Sequence, residues 1–158
     1  MSEKNYLDIM IDSLSQKKDL LEKIVELNEK QKAIIDAKEV DSDSLDKTLR
    51  EKDALIDRIN TLDSGFEALF ARVREVLDVD RKPYSKEIET MKSYIRDITD
   101  LTVKIQAGEL RNKHKIENYF AEQKKSIVNA KKAGNMASRY YDSMNRLDYS
   151  PQFMDKKN

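Results

Sequence analysis

Residues 7–35 read LDIMIDSLSQKKDLLEKIVELNEKQKAII, and their spacing decides the fold. Leu7, Leu14, Leu21 and Ile35 stand seven residues apart or multiples of seven, and Met10, Ile11, Ile24 and Val25 fill positions between them. Lys, Asp and Glu separate the apolar residues. A seam of this period is what a long helix needs to pack nearly parallel to its neighbours. Outward from this stretch the pattern recurs. Leu45, Ile59, Phe66 and Val73 repeat it beside Leu49, Ile56, Phe70 and Leu77, and Ile88, Ile95, Ile116, Ala130, Ala137 and Met144 repeat it a third time. The first seam turns polar at Lys18, Asn28 and Gln31, and such residues commonly fix register or partner number.

The spacing predicts a first helix from about Asn5 to Lys38. The connector EVDSDS (39–44) supplies helix N-cap residue types and negative charge suited to a helix N-terminus, so the second helix starts near Ser44. It runs to about Asp78, with a slight bend at Asp63-Ser64-Gly65 rather than a break. DRKP (80–83) is the next turn, because Pro disfavours helix before it and favours helix after it. The third helix then extends from about Tyr84 to Asn145. Gly108 is its one weak point, and Leu110, Ile116, Tyr119 and Ile127 continue the spacing beyond it. At ~1.5 Å per residue the first two helices are each roughly 50 Å long and the third roughly 90 Å. The third must therefore double back near Gly108 or project past the other two, and the continued spacing argues for continuity. The expectation is an all-α, elongated antiparallel helical bundle or coiled coil of three long helices. Residues 1–146 form a single helical domain in this reading, and residues 147–158 a flexible tail.

Composition narrows the function classes. Of 158 residues, 39% are hydrophobic and 38% charged, which departs from a compact globular domain toward long helices. Three Gly and two Pro leave too few turns for a sheet protein. The absence of Cys excludes a disulfide framework and thiolate metal ligation. No signal segment opens the chain and no apolar run reaches membrane-spanning length, so a soluble cytoplasmic protein without membrane insertion is expected. Residues 1–80 hold 20 acidic and 13 basic residues, a net of −7, and residues 81–158 hold 10 and 17, a net of +7. Two readings follow: complementary helix faces within the fold, or a basic run (111–139) that meets an acidic partner. Aromatic interleaving there is limited to Tyr119 and Phe120 and no nucleic-acid motif is present, so nucleic acid is not an expected partner.

Nothing in the chain has the spacing of catalytic or cofactor chemistry. His114, the one histidine, lies between Lys113 and Lys115 on a helix and reads as a solvated surface residue. The Asp and Glu residues sit at helix-surface spacing from Lys and Arg. No phosphate loop, no inward Glu-x-x-His pair and no nucleophile beside a base is present. A binding protein without cofactor is expected, not an enzyme. The carboxy-terminal third stands out instead: Met136, Tyr140, Tyr141 and Met144 share a helical face, continued by Leu147, Tyr149 and Phe153. Methionine adapts to irregular partners and tyrosine gives large contact area at low entropic cost. This strip is either core of the last turns or a surface that takes an amphipathic helix from another protein.

LLEKIVEL (20–27), the acidic connector and LREKDALIDRI (49–59) resemble the FlgN-type flagellar export chaperones. So do AKKAGNMASRYY (130–141) and the ending FMDKK (153–157). The resemblance implies a small cytoplasmic all-helical chaperone. It would hold hook-associated proteins of the hook–filament junction, of the FlgK and FlgL type, unassembled and deliver them to the flagellar type III export apparatus. In that family the carboxy-terminal segment binds the client. The residue reading adds Met136, Tyr140, Tyr141, Met144, Leu147, Tyr149 and Phe153 as the surface for a client's helical terminal segment. Two other readings stay open: a structural coiled coil that self-associates as a homo-oligomer, and a chaperone for flagellin or the filament cap.

Overall fold

The computed structural model describes residues 3–147 and 149. Among them are four α-helices and no strand: α1 (Glu3–Asp36), α2 (Ser42–Val79), α3 (Ser85–Lys124) and α4 (Ile127–Arg146). The chain is all-α, but with four helices where the spacing predicted three. α2 begins two residues before Ser44 for a local reason. Asp41 leaves helical geometry, and its carboxylate accepts the backbone N–H groups of Asp43 at 3.1 Å and Ser44 at 3.2 Å. Those are two of the donors a helix start leaves unpaired. α2 runs unbroken through Gly65. After Val79 the Asp80 carboxylate accepts the Lys82 N–H at 3.1 Å, and Pro83 sits in a single 3-10 turn (Lys82–Tyr84) that leads into α3.

The corrected element is the third helix. It passes through Gly108 as expected, then stops at Lys124 and turns back at Lys125 and Ser126. No Gly or Pro marks the place. Lys125 and Ser126 donate their backbone N–H groups to Glu122 and Gln123, tightening the last turn, and extended backbone at Ser126 starts α4. A straight continuation would carry Ala133, Met136, Ala137 and Tyr140 beyond the ends of α1 and α2 with nothing to cover them. Reversal buries all four, and removal of apolar surface from water drives it. Leu110 and Ile127, expected to continue the seam, are 73% and 96% exposed. The buried residues after Ile105 are Gly108, Glu109, Asn112, Ile116 and Phe120. A Cβ at Gly108 would stand only 3.3 Å from Asn28 Nδ2, so the bare glycine lets α3 approach α1 closely.

Cross-helix pairs give the directions. Lys17–Asp63 at 2.8 Å makes α1 and α2 antiparallel when taken with Lys52–Asn28 at 3.0 Å. Lys18–Asp97 at 3.1 Å and Arg111–Glu29 at 2.8 Å make α1 and α3 parallel. α4 packs along α3 and α2, antiparallel to the first and parallel to the second. The acidic and basic halves of the chain thus meet inside one molecule, along the α1–α3 and α2–α4 flanks, as the complementary-face reading expected.

Two apolar clusters form. The larger joins the first part of α1 (Leu7 to Ile24), the later part of α2 (Ile56 to Leu77) and the first part of α3 (Ile88 to Ile105). The smaller joins Ile35, Leu45, Leu49, Ile116 and Phe120 to Met136, Ala137 and Tyr140 of α4. Between them along the helices lies a buried polar layer of Asn28 and Gln31 from α1, Lys52 from α2, and Glu109 and Asn112 from α3.

Candidate functional site

Met136, Tyr140, Tyr141 and Met144 all lie on α4, so its seat is the candidate site. The helix has a strong two-faced pattern. Its inner face holds Ala133, Met136, Ala137, Tyr140 and Ser143, spaced three and four apart. Met136 is buried in the smaller cluster, and its sulfur accepts the Ser42 hydroxyl at 3.9 Å. Tyr140 is 1% exposed, with its ring edge-on to Phe120 at 6.0 Å and to Tyr141 at 5.2 Å between centroids. Burial raises its phenol well above the usual range, aided by the negative charge of Glu109 and Glu117. Leu147 is buried in the larger cluster, so the chain just past α4 crosses from one cluster to the other.

The strip is therefore divided. Met136, Tyr140 and Leu147 are core in this conformation, the first of the two readings that the sequence left open. Met144 and Tyr149 are half-buried, against the smaller and the larger cluster respectively. The Tyr149 phenol is pushed up to about 12 by burial, with a contribution from the Glu109 charge. Tyr141 is the open member, 40% exposed. Its hydroxyl donates to the Glu117 carboxylate of α3, and that bond is the main reason its phenol is pushed up to about 12. Phe153 lies outside the described residues.

Charges line the rim between α4 and α2. Lys132 pairs with Asp43, and Arg139 with Asp46 at 2.8 Å. Arg146 pairs with both Asp53 and Asp57, while the Ser143 hydroxyl donates to Asp53 at 2.8 Å. The hydrogen bond to Asp43 raises the Lys132 ammonium above its ordinary value. Every second turn of α4 is thus tied to α2 by an ion pair. Lys132, Asp43 and Asp57 are exposed, where such pairs contribute little each and weaken with salt, whereas Arg139–Asp46 and Arg146–Asp53 are part-buried.

The polar layer beneath is the feature the sequence reading caught only in part. Asn28 and Gln31 are buried as their seam positions implied, whereas Lys18 is a half-exposed rim residue and its neighbour Lys17 is buried. Lys52 and Glu109, each 2% exposed, form an ion pair. Lys52 also donates to Asn28 Oδ1 at 3.0 Å, and Asn112 donates to the Asn28 carbonyl at 2.9 Å. Burial lowers the Lys52 ammonium, opposed by the Glu109 charge. The signal was present. Lys52 falls in the α2 seam between Leu49 and Ile56, and Glu109 and Asn112 fall in the α3 seam between Ile105 and Ile116. Helical spacing read through those polar residues finds them.

Comparison with family sequence models matches residues 1–144 to the family described as FlgN protein. The chain belongs to that family. The match covers α1, α2 and α3 whole and α4 up to Met144. FlgN membership implies a flagellar export chaperone, in a family that binds hook-associated flagellar proteins. No curated protein and no solved structure matches the chain. Among the described residues of this FlgN-family chain, no His, Asp or Glu group has the placement to hold a metal ion. No described helix is long and apolar enough to cross a membrane. His114 is exposed, beside the Asn118 amide at 3.2 Å.

Proposed function

We propose that this FlgN-family chain is a cytoplasmic chaperone of the flagellar type III export system, working by binding and not by catalysis. It holds hook–filament junction proteins of the FlgK and FlgL type unassembled until export and presents them to the export apparatus. The observation that carries this reading is the family match over residues 1–144, nearly the whole chain. The packed α1, α2 and α3 supply the platform, and α4 supplies the client-binding face.

The client's terminal segment, disordered when free, folds as an amphipathic helix on Tyr141, Met144, Tyr149 and the Met136–Tyr140 face that α4 exposes when it leaves its seat. Leu147 extends that face. Two features of the seat support release of α4. Half of its buried side chains among Ala133, Met136, Ala137 and Tyr140 are alanines, so the apolar area lost is modest. Its flank is held by ion pairs at the rim, exposed at Lys132–Asp43 and part-buried at Arg139–Asp46, whose charges can be answered by another partner. Ordering the client opposes binding and keeps the complex reversible. Self-association has less support, because the seams of all four helices already find partners within one chain.

The test is a pull-down from the source cells with the full-length protein. A flagellar axial protein should co-purify in stoichiometric amount, and its identity separates junction proteins from flagellin and the filament cap. Recovery of the chain alone, as a stable homo-oligomer, would sink the chaperone reading.

A further inference from the structure

We infer that the helix accepted by α4 is recognised by a stripe of carboxylates on its flank as well as by its apolar face. This rests on the proposal that α4 is the client-binding helix, and it names the chemistry of the client. Lys132, Arg139 and Arg146 lie seven residues apart, so they form one row along α4. Asp43, Asp46, Asp53 and Asp57 form the facing row on α2, at successive intervals of three, seven and four. Each cation of the α4 row is engaged by the facing row: Lys132 by Asp43, Arg139 by Asp46, and Arg146 by Asp53 and Asp57.

The apolar half of the seat discriminates poorly, because two alanines, one methionine and one tyrosine accept many helices. Charge sets which helix fits, in which direction and in which register, since a shifted or basic row brings like charges together. A client must also displace α2, which the chain itself keeps close at an effective concentration on the order of millimolar. Only a helix that answers the same cations competes on equal terms. The flank of α2 is therefore an internal copy of the client's recognition stripe. The client segment is an acidic amphipathic helix, parallel to α4, with carboxylates at the α2 intervals.

Two synthetic peptides test this against full-length protein, both as wild type and carrying Asp46→Asn with Asp53→Asn to weaken the internal competitor. One copies residues 41–60, DSDSLDKTLREKDALIDRIN. The other exchanges each of the four facing aspartates with the residue that follows it, so composition and net charge are unchanged but the row is off the flank. The native spacing should bind the weakened variant about ten-fold more tightly at low salt, and the difference should vanish near ~1 M NaCl. Equal binding of the two peptides, or binding of neither, overturns the inference. The two readings also fail separately. Spacing-selective peptide binding with no axial protein captured from cells removes the chaperone reading alone. A captured junction protein whose affinity is unchanged or raised by Arg139→Glu with Arg146→Glu removes the carboxylate stripe alone, because reversal then only frees α4.

Discussion

The two ends of the molecule are built from the same heptad pattern and are held together differently. In the end that lacks α4, Leu7, Met10, Leu14, Leu21, Ile24, Met91 and Ile105 are almost wholly buried and make one continuous apolar cluster. In the end that α4 joins, the cluster is smaller, a polar layer lies below it, and one wall is fastened at its rim by charges. Burial of apolar groups is strong and indifferent to salt, whereas solvated ion pairs are weak and screened. Periodicity alone thus marks where helices pack and says little about how firmly.

The sharpest way to break the comparison is at the boundary between the two ends. Lys52→Met leaves the Glu109 carboxylate buried without its cation and should cost about 3–5 kcal/mol in urea unfolding. Lys52→Met combined with Glu109→Leu should return most of that loss or exceed wild-type stability, because an apolar layer of similar volume needs no desolvated charge. If the double variant is as weak as the single, the layer contributes more than an ion pair.

Next in size is Tyr140→Ala. Removing a ring packed on Phe120 should cost about 3 kcal/mol, near the lower end for a buried aromatic, since α4 can fray away from the void. An unchanged urea midpoint would show that α4 spends its time off the seat. The same substitution is a poor probe of client affinity for this reason, and Tyr141→Ala, at the open position, is the cleaner one.

Arg139→Ala with Arg146→Ala should lower stability by only about 1 kcal/mol, and the loss should fade as salt is raised. In amide hydrogen exchange the same pair should speed opening of residues 127–146 and leave residues 56–77 unchanged. A parallel change in both regions would mean that the ends unfold as one unit.

The smallest effect is confined to alkaline solution. The Tyr141 and Tyr149 phenols are pushed up to about 12 and Tyr140 is raised further, from an ordinary value of 10. The folded state therefore holds protons that the unfolded state releases first. Stability from these groups is complete below pH 10 and falls as pH rises through 12. Tyrosinate absorbance should show a late-titrating fraction that merges with the rest on unfolding, and Tyr141→Phe should shrink it.

How much of this was legible depends on which force wrote it. The apolar seam residues of α1 and α2 are legible because burial imposes a period that survives in the letters, whereas the polar position falls at Lys17 and not at Lys18. The turn at Lys125 and Ser126 is not legible, since no Gly or Pro stands there and Ser126, the N-cap of α4, makes no side-chain cap hydrogen bond. It follows from the need of Ala133, Met136, Ala137 and Tyr140 for cover, which only the assembled helices reveal. Gly108 reads as a weak point in sequence, yet its role is spatial: room for Asn28 on another helix. For the candidate strip, helical spacing placed Met136, Tyr140 and Met144 together, but spacing cannot tell a face that meets its own chain from one that meets another. The complementary charge of the two halves was legible from counting alone, because Coulomb attraction leaves its mark in composition.

The polar layer has a consequence for life among look-alikes. Every seam in this chain is of a kind that another heptad sequence can pair with, and the client segments it is proposed to hold fold as helices on it. Lys52, Glu109, Asn28 and Asn112 meet in one alignment of α1, α2 and α3. Sliding any helix by a heptad, or inserting a foreign one, would leave a lysine or a carboxylate facing leucine in a dry interior, at a cost of several kcal/mol. The layer therefore works as a lock on identity: it favours one closure of the chain on itself and disfavours foreign helices everywhere except at α4, the helix proposed to move.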